Sequence, residues 1–139
     1  MRIRLIAHGR IGRSPEAELY QRYVDRLPWD VQLTELAVGA PIPWPDKGAR
    51  IVLLDERGKG LDSEAFAARI GRWRDDGVRE IAFLIGGADG FSDADRARAN
   101  LLLAFGPMTW PHMMARAMLA EQWWRAASIL AGHPYHRAG

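Results

Sequence analysis

Two stretches of this chain, IVLLD at 51–55 and EIAFLIGG at 80–87, run apolar almost without interruption. A strand with one wet face alternates apolar and polar residues. A strand that does not alternate is covered on both faces, which is the pattern of a parallel sheet flanked by helices. The flanking segments supply those helices. RIRLIAH at 2–8 predicts a first strand, and SPEAELYQRYVDRL at 14–27 a helix in which Ser14 caps and Pro15 takes the first helical position. Leu19, Tyr20, Tyr23, Val24 and Leu27 recur there at three- and four-residue spacing and define a docking face. VQLTELAV at 31–38 predicts a second strand. GAPIPWPDKGA at 39–49 is a loop, because three prolines and two glycines forbid regular structure. SEAFAARIGRWRDD at 63–76 predicts a helix burying Phe66, Ile70 and Trp73. Strand and helix thus alternate through a single α/β domain spanning residues 1–139, with a parallel sheet and no repeat.

The last third departs from that rhythm. A weak helix at 92–101 leads into LLLAF at 101–105, and a long helix runs from Pro111 to Ala131. On it Met113, Ala117, Ala120, Trp124, Ala127 and Ala131 form one apolar stripe, and Leu119, Trp123, Ala126 and Leu130 a second. Arg116, Glu121, Gln122, Arg125 and Ser128 alone supply polarity in its middle. A helix apolar around most of its circumference must be covered around most of it. One sheet face cannot cover both stripes, so a second subunit packing on this helix is expected. The alternative is a wide core helix under the loop at 39–49.

Cysteine is absent, which excludes disulfides, thiolate nucleophiles and Cys-ligated zinc. No segment has the length of a signal peptide's apolar region or of a membrane span, so a cytoplasmic protein is expected. Net charge is only +2, yet 17 of the 19 basic residues are arginines. Their planar forks suit phosphates and base edges, which favours an anionic partner such as RNA.

Three segments could carry chemistry. LIGGADGFSDAD at 84–95 leaves the carboxyl end of a buried strand, where α/β sheets place ligands. Its G-G-x-x-G spacing is neither a dinucleotide fingerprint nor a Walker loop. Read alone it is a tight turn that Gly90 ends, with Ser92 capping the next helix. LLDERGKGL at 53–61 leaves another strand end with Asp55, Glu56, Arg57 and Lys59 expected in solvent, and no histidine or third carboxylate stands at metal-ligand spacing. FGPMTWPH at 105–112 holds two prolines and a glycine, so its backbone N–H and C=O groups stay free beside Phe105, Met108 and Trp110. Free backbone edges between apolar walls suit a flat, adenine-sized ligand. His112, at the helix start, is read as a structural cap. The chain then ends in GHPYHRAG at 132–139, with two of the four histidines, a tyrosine and an arginine where order normally fades.

LIGGADGF, MTWPHMMARAMLAEQWWRAASI and HPYHR, taken in that order, resemble the RlmH family, the ribosomal RNA large subunit pseudouridine N3-methyltransferases of the SPOUT class. The likeness covers nearly the whole chain, including LLDERGK, and is most specific from Leu84 onward. It implies a parallel-sheet α/β SPOUT methyltransferase fold with a C-terminal trefoil knot, an exception to the rule against knotted chains. It also implies a homodimer, S-adenosyl-L-methionine as methyl donor, and ribosomal RNA within the ribosome as partner. Carried over by position, the donor pocket falls on Leu54, Gly86, Phe105, Gly106, Pro107, Met108, Thr109 and Trp110, and the catalytic tail on Tyr135, His136 and Arg137. Two departures stand out. The charged segment between the second and third strands is shortened to a Pro-rich loop, and His8 stands where a small apolar residue is usual.

In the implied reaction the N3 proton must leave while the base stands in line with the methyl group. Arg137 is expected to favour the deprotonated base, His136 to accept the proton and Tyr135 to stack or hydrogen-bond. A tail leaving the end of a helix that packs on its twin could reach the partner's pocket. Two other readings remain open: a SPOUT enzyme acting on another RNA such as transfer RNA, and a non-catalytic RNA-binding dimer.

Overall fold

A computed structural model describes residues 1–132. Five strands and four helices follow one another as β1 (Arg2–His8), α1 (Pro15–Asp25), β2 (Asp30–Leu36), β3 (Arg50–Lys59), α2 (Ser63–Asp75), β4 (Glu80–Ile85), α3 (Asp93–Ala97), β5 (Leu101–Leu103) and α4 (His112–Leu130). The strands form one sheet in the order β2-β1-β4-β3-β5, and every pairing is parallel. The alternation in the sequence therefore gives the α/β sheet expected of it. Two compact units make up the structure, each built from three separate stretches of chain.

The first unit contains the sheet, residues 1–10, 29–60 and 78–109. The non-alternating runs are buried as their pattern requires: Val52 and Leu53 in β3, and Ile81 to Ile85 in β4. On one face Ile6, Leu53, Ala82, Leu84 and Phe91 form a cluster, against which Leu36, Ile42, Trp44, Ile51, Ala99 and Leu102 pack. The Pro-rich loop is thus a lid of side chains on this face. Arg98 lies over the Trp44 ring at 4.3 Å from its centroid, a cation–π contact that pins the loop. At the outer edge Asn100 pairs with Ile51 in both directions, donating its N–H to the Ile51 carbonyl and accepting the Ile51 N–H on Oδ1, each at 2.8 Å.

The second unit comprises residues 11–28, 61–77 and the chain from 110 onward, carrying α1, α2 and α4. Ser14 caps α1 by accepting the Ala17 N–H at 3.1 Å, ahead of Pro15. Asp62 caps α2 in the same way through Ala65. α4 packs against both other helices. The Tyr20 ring meets Trp123 edge-on at 6.3 Å, Tyr23 tilts against Trp124 at 5.8 Å, and Ser63 Oγ donates to Gln122 Oε1 at 2.8 Å. Phe66, Ile70 and Trp73 are all buried on α2, as their spacing predicts.

Four expectations need correction. Leu19 does not join the docking face of α1. It is 42% exposed, and Tyr20 alone is buried, because the aromatic pairs with α4 rotate the helix toward Tyr20 and Tyr23. β3 does not end at Asp55 but continues to Lys59, because the chain arches out after Leu54 and rejoins β5. Asp55 is buried rather than solvated. Arg116 is fully buried and Ser128 nearly so, its hydroxyl donating to the Trp124 carbonyl at 2.9 Å, so α4 is covered over more of its circumference than its apolar stripes alone indicate.

Candidate functional site

Parallel pairing lines up the carboxyl ends of neighbouring strands, so loops distant in sequence emerge side by side. Leu54 is the residue on which this turns. It pairs with Ile85 of β4 on one side and with Leu103 of β5 on the other. Ile85 immediately precedes Gly86, and Leu103 lies two residues before Phe105. The structure therefore brings Leu54, Gly86 and the segment 105–109 to three adjacent strand ends in the sheet unit. Trp110 begins the helical unit.

Each loop is shaped by local chemistry. A Cβ added at Gly86 would come 3.2 Å from the Gly90 carbonyl carbon, so this position admits no side chain without moving the turn. Gly90 itself has φ +67°, a left-handed conformation that favours glycine, and it ends the turn as expected. Ser92 then starts α3 with a reciprocal cap, accepting the Asp95 N–H while Asp95 accepts the Ser92 N–H, both at 3.1 Å. Residues 105–111 form no helix or strand, and Pro111 precedes α4 without a side-chain cap. Met108 is 75% exposed and Trp110 40% exposed. His112 is the first residue of α4 and Pro111 takes the cap position, so the cap role expected of His112 is not the one it plays.

The arch after Leu54 is the feature the sequence concealed. Leu103 pairs with both Leu54 and Lys59, leaving residues 55–58 outside the ladder. Gly58 closes the arch: a Cβ there would stand 2.6 Å from the Leu102 carbonyl, so only glycine lets the two backbones approach. Inside the arch Asp55 accepts the Arg57 N–H at 2.9 Å and the Arg96 Nε–H at 2.6 Å, and Arg96 also bonds Asp93 at 3.0 Å. Burial pushes the Asp55 carboxyl up, but the Arg57 N–H and the Arg96 guanidinium outweigh it and hold the group below the usual carboxylate range. This charge pair ties the Leu54 loop to the helix that follows the Gly86 turn. The signal that could have revealed it is Asp55 next to a strand end with Arg96 in the first helix after the glycine turn, but no spacing rule connects residues 41 positions apart.

Tyr135, His136 and Arg137 lie outside the described residues. Among the described residues no group of three or more His, Asp or Glu could hold a metal ion, and no helix is long and apolar enough to cross a membrane.

A family model described as predicted SPOUT methyltransferase matches residues 1–136. The chain is 59% identical over 140 aligned positions to a protein of Rhizorhabdus wittichii named ribosomal RNA large subunit methyltransferase H, with both chains covered completely. It is 61% identical over 141 positions to the protein of the same name from Novosphingobium aromaticivorans, again over the full length of both. The namesake from Brucella anthropi is 47% identical over 163 positions, covering 99% of this chain and all of the relative.

Proposed function

This chain belongs to the SPOUT methyltransferase family, and on that basis we propose that it transfers a methyl group from S-adenosyl-L-methionine to N3 of a pseudouridine in large-subunit ribosomal RNA, acting on the assembled ribosome. The observation that carries the proposal is the pairing of Leu54 with both Ile85 and Leu103, which gathers the three loops at one end of the sheet. Full-length identity to relatives named for ribosomal RNA methylation supports the RNA class.

The residues present fit the donor. Gly86 offers backbone without a side chain, the segment 105–109 offers irregular backbone with Phe105 and Met108 as apolar walls, and Leu54 adds a third. These residues form the proposed pocket. Bound there, the donor supplies an electrophilic methyl group on a sulfonium centre. The apolar walls exclude water, and backbone N–H and C=O groups of these loops fix the orientation of the bound molecule. Arg137 favours the deprotonated base electrostatically, His136 takes the N3 proton and Tyr135 holds the ring. The protein works as a cytoplasmic homodimer of single domains, each with a C-terminal trefoil knot. The tail of one chain then completes the pocket of the other.

Mass spectrometry of large-subunit RNA, after incubating the protein and S-adenosyl-L-methionine with ribosomes from cells lacking it, tests the proposal. One added methyl group on a pseudouridine is expected. Methylation of transfer RNA but not of ribosomes would replace the substrate, and failure to bind the donor in calorimetry would replace the enzyme with an RNA-binding module.

A further inference from the structure

The connections of the sheet reverse direction between β1 and β4. β1 leads through α1 to β2 on one side, whereas β4 leads through α3 to β5 on the other. Open α/β sheets bind ligands in the crevice outside the strand ends at such a reversal. The proposed donor loops occupy the β4, β3 and β5 side of that point. The opposite lip is the end of β1, and its last strand residue is His8.

Several observations place the imidazole on this lip. Side chains alternate along a strand, so His8 shares the face of Ile6, a member of the cluster under Trp44. Gly9 follows with φ +86° and donates its N–H to the Leu36 carbonyl at 2.8 Å, which ends the strand immediately after His8. A Cβ added at Gly87 would stand 3.7 Å from the His8 Cβ and 3.9 Å from its Cγ, so the side chain lies against the turn that begins with Gly86. It is half-buried, and no hydrogen bond or ion pair engages the imidazole among the described residues. Its ring nitrogens are not among the buried unpartnered atoms, so they are open to a molecule that enters the crevice.

We propose that His8 contacts the target base, its imidazole N–H donating a hydrogen bond to a carbonyl oxygen beside the nitrogen that is methylated. This rests on the reading given under the previous heading. When that nitrogen loses its proton, negative charge spreads onto the flanking carbonyl oxygens, and a donor already aimed at one of them stabilises the charge. The nitrogen lone pair forms the new N–CH3 bond, the carbon–sulfur bond breaks with its electrons staying on sulfur, and the proton goes to the general base. His8 exchanges no proton and binds no donor.

The test compares His8→Leu and His8→Gln with the wild type in three measurements: thermal unfolding, calorimetric affinity for S-adenosyl-L-methionine, and single-turnover methyl transfer at saturating donor into ribosomes or total RNA from cells lacking the protein. His8→Leu is expected to stay folded and bind the donor within about twofold, while transfer falls roughly 10- to 100-fold, the effect of losing one hydrogen bond to a charged group. His8→Gln retains an N–H donor and is expected to recover most of that loss. Transfer by His8→Leu within twofold of wild type overturns the proposal, as does an equal loss in both variants accompanied by weakened donor binding, which marks a packing role beneath the Gly86 turn. Which RNA the wild type methylates tests the broader reading, whereas the ratio of variant to wild type on that RNA tests His8.

Discussion

Asp55 accepts the Arg96 Nε–H at 2.6 Å across 41 residues of chain, joining the loop that leaves β3 to the helix that follows β4. Asp55 is 8% exposed, so the pair is sheltered on its acidic side. Its depressed pKa fixes the sign of a pH effect. A carboxylate with a lowered folded-state pKa contributes stability that is fully present above the unfolded value, about 3.9, and is lost as pH falls through the folded value. Urea midpoints measured from about pH 6 down to about pH 3 should fall on the acid side in the wild type. Asp55→Asn should lower the neutral-pH midpoint and flatten that fall. An unchanged acid slope in the variant would remove Asp55 as a source.

Gly86 and Gly87 are neighbours with different tolerances. A methyl group at Gly86 presses on the Gly90 backbone at 3.2 to 3.3 Å, whereas at Gly87 it makes ordinary contact with His8. Gly86→Ala should therefore weaken S-adenosyl-L-methionine binding about tenfold or more, or 1.4 kcal/mol at RT ln 10, and Gly86→Val should abolish it. Gly87→Ala should retain donor affinity. Equal affinities for the two alanine variants would refute a donor site at Gly86.

Trp123 and Trp124 sit on different sides of α4. Trp123 has no exposed surface and meets Tyr20, whereas Trp124 is half-buried against Tyr23. Trp123→Ala should cost about 3–5 kcal/mol in denaturant titration, the usual price of a large core truncation. Trp124→Arg should give folded protein that light scattering finds monomeric. A stable dimer in that variant would locate the subunit contact elsewhere.

Tyr135, His136 and Arg137 lie outside the described residues, and their proposed role is tested by deletion. A chain ending at Pro134 should melt like the wild type and bind the donor with similar affinity, but methylate ribosomes slower by orders of magnitude. Mixed with Gly86→Val chains it should recover activity, because one site of the mixed dimer combines an intact pocket with an intact tail. Full activity of the truncated chain alone, or no recovery in confirmed mixed dimers, would exclude a tail acting between subunits.

Local patterns made most of the fold legible. The unbroken apolar runs at 51–55 and 80–87 gave buried parallel strands, and Ser14 with Pro15 gave the start of α1. Ser92 and Gly90 gave the turn and cap after β4. What stayed hidden depends on partners far along the chain. Nothing near Asp55 shows that Arg96 will bury it, and nothing near Gly58 shows that the backbone of β5 lies 2.6 Å from where its Cβ would be. Leu19 misled because its spacing fits a docking face, while the aromatic pairs on α4 turned the helix past it. The loops proposed to hold the donor were singled out individually by strand ends and irregular backbone, but their adjacency follows from the strand order, which periodicity does not specify.

The place of β5 at the sheet edge has a consequence for biosynthesis. Ile51 waits for Asn100, 49 residues later, to close its hydrogen bonds, and β5 joins the sheet through β3 alone. While the chain is being made, β1, β4 and β3 can pair before β5 has left the ribosome, and until then β3 offers bare backbone to any strand it meets. The protein is therefore most vulnerable to misassembly in the interval just before Leu101 emerges, and a nascent chain stalled in that interval carries two of the three proposed donor loops and no means of closing the third.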